Sequence, residues 1–227
     1  MSYSVRPMEV GDIPQVKEIE REAFPTQAPT TSFKRELESS TAAYIVAYEN
    51  EDYRGEPTSK NQVPAAPARS RFGRLLSEVK DFLSGEPLSP EVAATNERIL
   101  GFAGLWFVAG EAHLTSIAVG ESHRREGVGE QLLISAINAA LERNAEFVTL
   151  EVRVTNSAAQ PLYEKYGFHK VGVRRGYYTD NKEDALLMST DKINTASYQA
   201  NFQRLKRAHA EKGGNGENST AATPQSL

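Results

Sequence analysis

The chain contains no cysteine among its 227 residues, which excludes a disulfide framework, a thiolate nucleophile and any cysteine-ligated zinc or iron–sulfur centre. Histidine is nearly as scarce: the four present, His113, His123, His169 and His209, show no paired ligand spacing, so no metal is expected. No apolar run reaches the length of a membrane span, and Met1 to Val10 lacks a basic segment followed by an apolar stretch and a small-residue cleavage site. The expectation is a soluble, cytoplasmic protein with no membrane partner. Excess charge of one sign is missing too. The sum of 26 basic and 30 acidic residues is −4, so strong binding to nucleic acid is not expected and any basic contact must be local.

What is present reads as alternating strands and helices. An extended start over Tyr3–Met8 leads to Gly11-Asp12-Ile13-Pro14, where Asp12 is expected to cap a helix that tolerates Pro14 in its first turn. Val16, Ile19 and Ala23 follow helical spacing until Pro25 and Pro29; Ser32 then opens a short helix carrying Phe33 and Leu37, and Ala42–Tyr48 reads as a strand. Residues 50–98 break this rhythm. They hold Pro57, Pro64, Pro67, Pro87 and Pro90 with a polar first half, and are expected to be a flexible insertion. Inside it, Phe72, Leu75, Leu76, Val79, Phe82 and Leu83 suggest one amphipathic helix.

Ile99–Val108 and Ala112–Val119 read as a hairpin turning at Ala109-Gly110-Glu111. The apolar stripe Leu132, Leu133, Ala136, Ile137, Ala140 and Leu141 makes Gly127–Arg143 a helix, and Phe147–Val154 alternates as a strand. Strand, helix and strand make a crossover, which places the flanking strands parallel. Asn156 or Ser157 is expected to cap a short helix ending at Gly167, followed by strands over Phe168–Arg174 and Ala185–Ser189. Tyr198–Ala210 reads as a helix, and Gly213–Leu227 has the composition of a disordered tail. The expected fold is α/β (α+β): a mixed, mostly antiparallel sheet flanked by helices, with one parallel strand pair forming a cleft, in a domain over residues 1–190 interrupted by the 50–98 insertion, with an extension over 191–227.

The segment His123-Arg124-Arg125-Glu126-Gly127-Val128-Gly129-Glu130 lies between a strand and the longest helix. A turn there directs unpaired amides and the positive end of the helix dipole at one point, which suits an oxyanion such as a pyrophosphate; glycine lets it approach the main chain. The same glycines also suit a plain tight turn. Downstream stand Glu151-Val152-Arg153-Val154-Thr155-Asn156, Leu162-Tyr163-Glu164-Lys165-Tyr166-Gly167-Phe168, Arg174-Arg175-Gly176-Tyr177-Tyr178 and Glu183-Asp184-Ala185-Leu186-Leu187-Met188. With Ile117-Ala118-Val119 and the glycine turn, these blocks resemble, in order and spacing, the GNAT superfamily of acetyl-CoA-dependent N-acetyltransferases. Within it they are similar to the RimI-type enzymes that acetylate the N-terminal alanine of a small-subunit ribosomal protein. The resemblance is strong over Ile99–Met188 and weak over Ser4–Tyr48.

The resemblance implies roles. Backbone of Ile117, Ala118 and Val119 would pair with the pantetheine arm of acetyl-CoA. The turn of Arg124, Arg125, Glu126, Gly127, Val128, Gly129 and Glu130 would cradle its pyrophosphate, and Asn156 would contact it. Glu151 would accept the proton of the amine and Tyr163 would give one to the leaving thiolate. Each residue has a plainer reading as well: Glu151 lies on the polar side of an alternating strand, Tyr163 shares a helical stripe with Leu162 and Tyr166, and Asn156 suits a cap. His113, His123 and His169 are isolated in sequence and are assigned no role. The sequence departs from the family in three places. Similar enzymes carry an aromatic residue after the Phe-Pro of the first loop, whereas Phe24-Pro25 is followed here by Thr26-Gln27-Ala28-Pro29, and the 50–98 and 191–227 segments have no counterpart in compact members. A basic group of Arg204, Lys206, Arg207 and Lys212 reads as a solvated helix face. Two alternatives stay open: a GNAT enzyme acting on lysine side chains or small amines, and a CoA-binding interaction module without activity.

Overall fold

The computed structural model describes residues 3–26, 30–50 and 97–214, with nothing said of the side chains of 213 and 214. The expected amphipathic helix, most of the 50–98 segment and nearly all of the 213–227 tail lie outside these residues. Strands β1 (Ser4–Pro7), β2 (Ala42–Asn50), β3 (Glu97–Val108), β4 (Glu111–Val119), β5 (Phe147–Arg153), β6 (Phe168–Arg174) and β7 (Ala185–Thr190) form one sheet in the order β1-β2-β3-β4-β5-β7-β6. Every neighbouring pair is antiparallel except β4 with β5. Helices α1 (Ile13–Ala23) and α2 (Phe33–Leu37) cover one face; α3 (Val128–Glu142) packs on the other with the short α4 (Gln160–Lys165) and α5 (Ala196–Gly214).

The apolar stripe of α3 is what fixes the crossover: Leu132, Leu133, Ala136, Ile137 and Ala140 are all buried against Leu105, Leu114, Val148 and Leu150 of the sheet. The β3–β4 hairpin turns through Ala109 (φ 50°) and Gly110 (φ 81°), a left-handed pair that matches the twist of the strands it joins. One end of α1 differs from expectation. Asp12 precedes the helix but makes no side-chain cap to it; its carboxylate instead accepts the Glu9 N–H at 2.8 Å and both Arg6 nitrogens at 2.7 and 2.8 Å. A buried aspartate beside an arginine gains more from that charge-assisted pair than from a neutral amide.

The feature that makes a site is a fork. Strands β4 and β5 pair only from Glu111–Leu114 to Phe147–Leu150, although β4 runs on to Val119 and β5 to Arg153. Against β3 the register slips by one residue between Leu114 and Ser116, so Thr115 is an extra residue in β4, and its hydroxyl donates to the Gly104 carbonyl at 3.1 Å. Such a bulge bends the strand that carries it. Gly104 permits the bend, since a Cβ there would lie 2.5 Å from the Tyr44 ring. Helix α5, outside the expected domain, is packed onto it: Phe202 and Leu205 are buried in the same core as α3.

Candidate active site

The outer end of the fork meets the N-terminus of α3. Gly127, at φ 87°, caps the helix in the left-handed region, and Arg125 before it stands at φ 69°. The first amide to fold back is that of Gln131, which donates to the Gly127 carbonyl at 3.0 Å. The amides of Val128, Gly129 and Glu130 therefore have no intrahelical acceptor and point out along the axis, the arrangement that holds a phosphate oxyanion. Gly129 leaves room, the nearest atom to a Cβ there being a Val119 methyl at 3.5 Å. Arg124 is exposed and contacts Glu121 at 3.4 Å, Glu126 is exposed beside the buried His123 at 3.2 Å, and the side chain of Glu130 turns away from the axis to Lys165 and Tyr166. Ile117, Ala118 and Val119 lie on β4 beyond its last pairing with β5, so their backbone edge is open to the fork. Asn156 follows β5 and its side-chain oxygen accepts the Ala159 N–H at 3.1 Å, one turn ahead of α4 rather than at its cap. Of the sequence-predicted residues, Ile117, Glu151, Asn156 and Tyr163 line one cleft of about 820 Å³, whereas Ala118, Val119 and the Arg124–Glu130 turn are not among its lining residues and stand beyond it at the outer end of the fork.

Glu151 is at the floor of that cleft with a side chain only 6% exposed. Its Oε2 is 2.9 Å from His113 Nε2, and its Oε1 is 2.8 Å from Arg174 Nη1. The second contact has ion-pair distance without hydrogen-bond geometry, so Oε1 keeps acceptor capacity. Burial pushes the carboxyl pKa up, but the His113 hydrogen bond and the charges of His113 and Arg174 outweigh it and hold the group below the usual range. Glu151 is therefore ionised at neutral pH while still desolvated. Behind it runs a polar string: His113 Nδ1 lies 2.8 Å from Thr149 Oγ1, and that hydroxyl donates to Glu111 at 2.5 Å.

Tyr163 is buried at the start of α4, its ring centroid 5.8 Å from that of Phe168. It is both core and cleft wall. Burial pushes its hydroxyl pKa well above the ordinary value, which keeps the phenol protonated and able to donate.

The cleft's rim comes from the segment between β6 and β7, organised by an arginine that sequence reasoning passed over. The Arg153 guanidinium stacks 3.8 Å from the centre of the Tyr178 ring and bonds Asp180 at 2.9 Å and Glu183 at 3.0 Å. Two Thr155 donors and Arg153 pull the Glu183 carboxyl down to about 2. Across the cleft, Thr26 donates to Asp180 at 2.8 Å, so the first loop meets the rim where a threonine replaces the aromatic residue of similar enzymes; residues 27–29 lie outside the described ones. His113 was also missed. The signal for it was the parallel register, which sets His113 opposite Thr149 and hence diagonal to Glu151 on one face. Among the described residues no group of three His, Cys, Asp or Glu is placed to hold a metal, and no helix is long and apolar enough to cross a membrane. A second cavity, about 480 Å³ beneath the β1–β2 edge, has both its arginines already engaged, Arg6 by Asp12 and Glu97 and Arg143 by the Ser40 carbonyl.

Comparison with known proteins agrees with this geometry. The profile of the acetyltransferase (GNAT) family matches residues 62–168. The N-alpha-acetyltransferase of Sulfurisphaera tokodaii is 33% identical over 188 residues, 82% of this chain and 92% of the relative. The ribosomal protein bS18-alanine N-acetyltransferase of Escherichia coli (strain K12) is 41% identical over 96 residues, 41% of this chain and 65% of that protein. A Bacillus subtilis relative, 44% identical over 90 residues, is spanned over 60% of its length. The chain thus spans less than two thirds of these two bacterial relatives. In fold, the crystal structure of the ribosomal-protein-S18-alanine N-acetyltransferase from Escherichia coli superposes with a TM-score of 0.54 at 24% identity, covering 84% of this chain and 94% of the other. On the strength of the nearly full-length archaeal match, the chain belongs to the GNAT family of acetyltransferases.

Proposed function

We propose that the protein transfers the acetyl group of acetyl-CoA to the N-terminal α-amino group of a protein, the acceptor being the alanine N-terminus of a small-subunit ribosomal protein. The observation that carries the reaction type is Glu151: an ionised, desolvated carboxylate with one oxygen open, at the floor of the fork whose outer end presents the Gly127–Glu130 amides. The choice of an N-terminal acceptor is supported by the names of the relatives, which are N-alpha and bS18-alanine N-acetyltransferases.

The donor brings an activated thioester; the chain's residues do the rest. The amides of Val128, Gly129 and Glu130 bind the diphosphate, and the unpaired edge of β4 over Ile117–Val119 aligns the arm that carries the acetyl group. An α-ammonium with a pKa of about 7.7–8.0 is mostly protonated at neutral pH and cannot attack a carbonyl. Glu151 accepts its proton through Oε1, directly or by one water, while Arg174 and His113 hold the carboxylate in place. The freed nitrogen lone pair forms the new C–N bond; as the C–S bond breaks, Tyr163 protonates the departing thiolate, and the second proton that the nitrogen sheds in becoming an amide restores the phenol. The absence of cysteine favours this direct attack over an acyl-enzyme.

The test is incubation with acetyl-CoA and alanine-first peptides, each containing an internal lysine, with the N-terminus free or blocked, followed by mass spectrometry. The expected product is a single acetyl group on the free N-terminus. Modification confined to lysine, or none, overturns the reading.

A further inference from the structure

Glu130 occupies the third position of α3, directly after the anion-binding turn. A carboxylate there ordinarily folds back to its own helix N-terminus, where it satisfies free amides and is favoured by the dipole. In this chain it would then stand where a diphosphate must bind, contributing like charge at the point that has to be positive. The structure shows another arrangement. Glu130 Oε1 is taken by the ammonium of Lys165, the last residue of α4, and by the hydroxyl of Tyr166 at 2.7 Å, with His209 Nδ1 of α5 at 3.6 Å on the same oxygen. Tyr166 is itself fixed at both ends: its ring meets Phe202 edge-on at 6.3 Å and its carbonyl accepts the Tyr198 hydroxyl at 3.0 Å. Helix α5 therefore presses the α4 terminus against the start of α3.

We propose that Glu130 is a positioning residue of the donor site, its charge sequestered by Lys165 and Tyr166 so that the first-turn amides of α3 stay free and the local field stays positive for the diphosphate. The inference rests on the reading of this turn as the acetyl-CoA site. It also ties two helices together for a purpose: α4 carries Tyr163, and the Glu130–Lys165–Tyr166 link joins that helix to the one that grips the donor.

The experiment is calorimetric titration of the full chain with acetyl-CoA, together with peptide kinetics. Lys165→Met leaves Glu130 charged and poorly paired, and should weaken acetyl-CoA binding by about fivefold or more, the lower bound being the size of a like-charge contact at about 4 Å in bulk water. The double variant Lys165→Met with Glu130→Gln, which removes the liberated charge, should recover most of that loss. Tyr166→Phe should weaken binding in the same direction by a smaller factor, and the peptide KM at saturating donor should not move in any of them. Wild-type binding by Lys165→Met would overturn the proposal. A double variant as weak as the single one would also overturn it, since Lys165 would then act on the donor itself or on packing. No heat from the wild-type protein would overturn the donor-site reading and this inference with it, an outcome distinct from normal binding that ignores the substitutions.

Discussion

His113 on β4 and Glu151 on β5 meet at 2.9 Å through Nε2 and Oε2, a contact made between the two strands that pair in parallel. Because β4 and β5 separate just beyond this pair, the histidine reaches the carboxylate from the closed side of the fork and leaves the open side to the acceptor. His113 and Arg174 together reverse the effect of burial on Glu151. The sign of the pH dependence follows. With its pKa depressed in the folded protein, Glu151 contributes stability that is present above the ordinary carboxylate pKa and lost as pH falls through the depressed value. In His113→Leu, burial is opposed less, so this contribution shrinks or changes sign. The variant is expected to lose about 1–3 kcal/mol relative to wild type at pH 7 and measurably less near pH 4.5, by urea denaturation at both values. An equal loss at the two pH values would show that His113 serves packing alone.

Tyr163 is buried with its ring beside Phe168, and the hydroxyl is the part assigned to chemistry. Tyr163→Phe is expected to lower kcat by about 10²-fold, the lower end of general acid catalysis, with thermal stability nearly unchanged. Measuring kcat and the melting temperature side by side separates the two roles, because a structural tyrosine would show the opposite balance.

Arg153 holds the rim of the cleft through Tyr178, Asp180 and Glu183, none of which touches the α3 turn. Arg153→Leu should raise the KM for peptide by about tenfold while the acetyl-CoA affinity stays within about twofold of wild type, as expected when only acceptor positioning is lost. A loss confined to acetyl-CoA binding would remove the rim from the acceptor site.

Phe202 on α5 is fully buried beneath Tyr166. Phe202→Ala is expected to cost about 3–5 kcal/mol in chemical denaturation, the penalty for a large core cavity. A cost below about 1 kcal/mol, typical of a surface position, would mean that α5 lies on the domain rather than within its core.

Much of this architecture was legible from period alone. The 3–4 spacing of α3 and the alternation of β5 each mark a face for the core, and the Ala109-Gly110 pair marks its own turn. The parallel pair and its cleft were expected, but the bulge that bends β4 was not legible, because it depends on Thr115 being an extra residue against β3, and a bulge has no one-residue signature. His113 was passed over for a related reason: it is isolated in sequence and gains its partners only when β4 and β5 adopt one register. Asp12 misled as a helix cap because Arg6, six residues earlier, competes for its carboxylate with a full charge. Glu130 read as one more member of the turn, and its backbone does belong there, but its side chain is claimed by Lys165 and Tyr166, whose proximity is set by α5. Sequence patterns find residues that a single element positions; those positioned by two elements wait for the tertiary structure.

The central claim is that Glu151 frees the attacking amine beside a donor gripped elsewhere. Single-turnover acetylation of an alanine-first peptide at saturating acetyl-CoA and pH 7, compared between wild type and Glu151→Gln, tests it most directly. The account predicts a rate lower by about 10²–10⁴-fold, the range of general base catalysis, with donor affinity within about twofold. An unchanged rate, or a loss explained wholly by weaker acetyl-CoA binding, would contradict it.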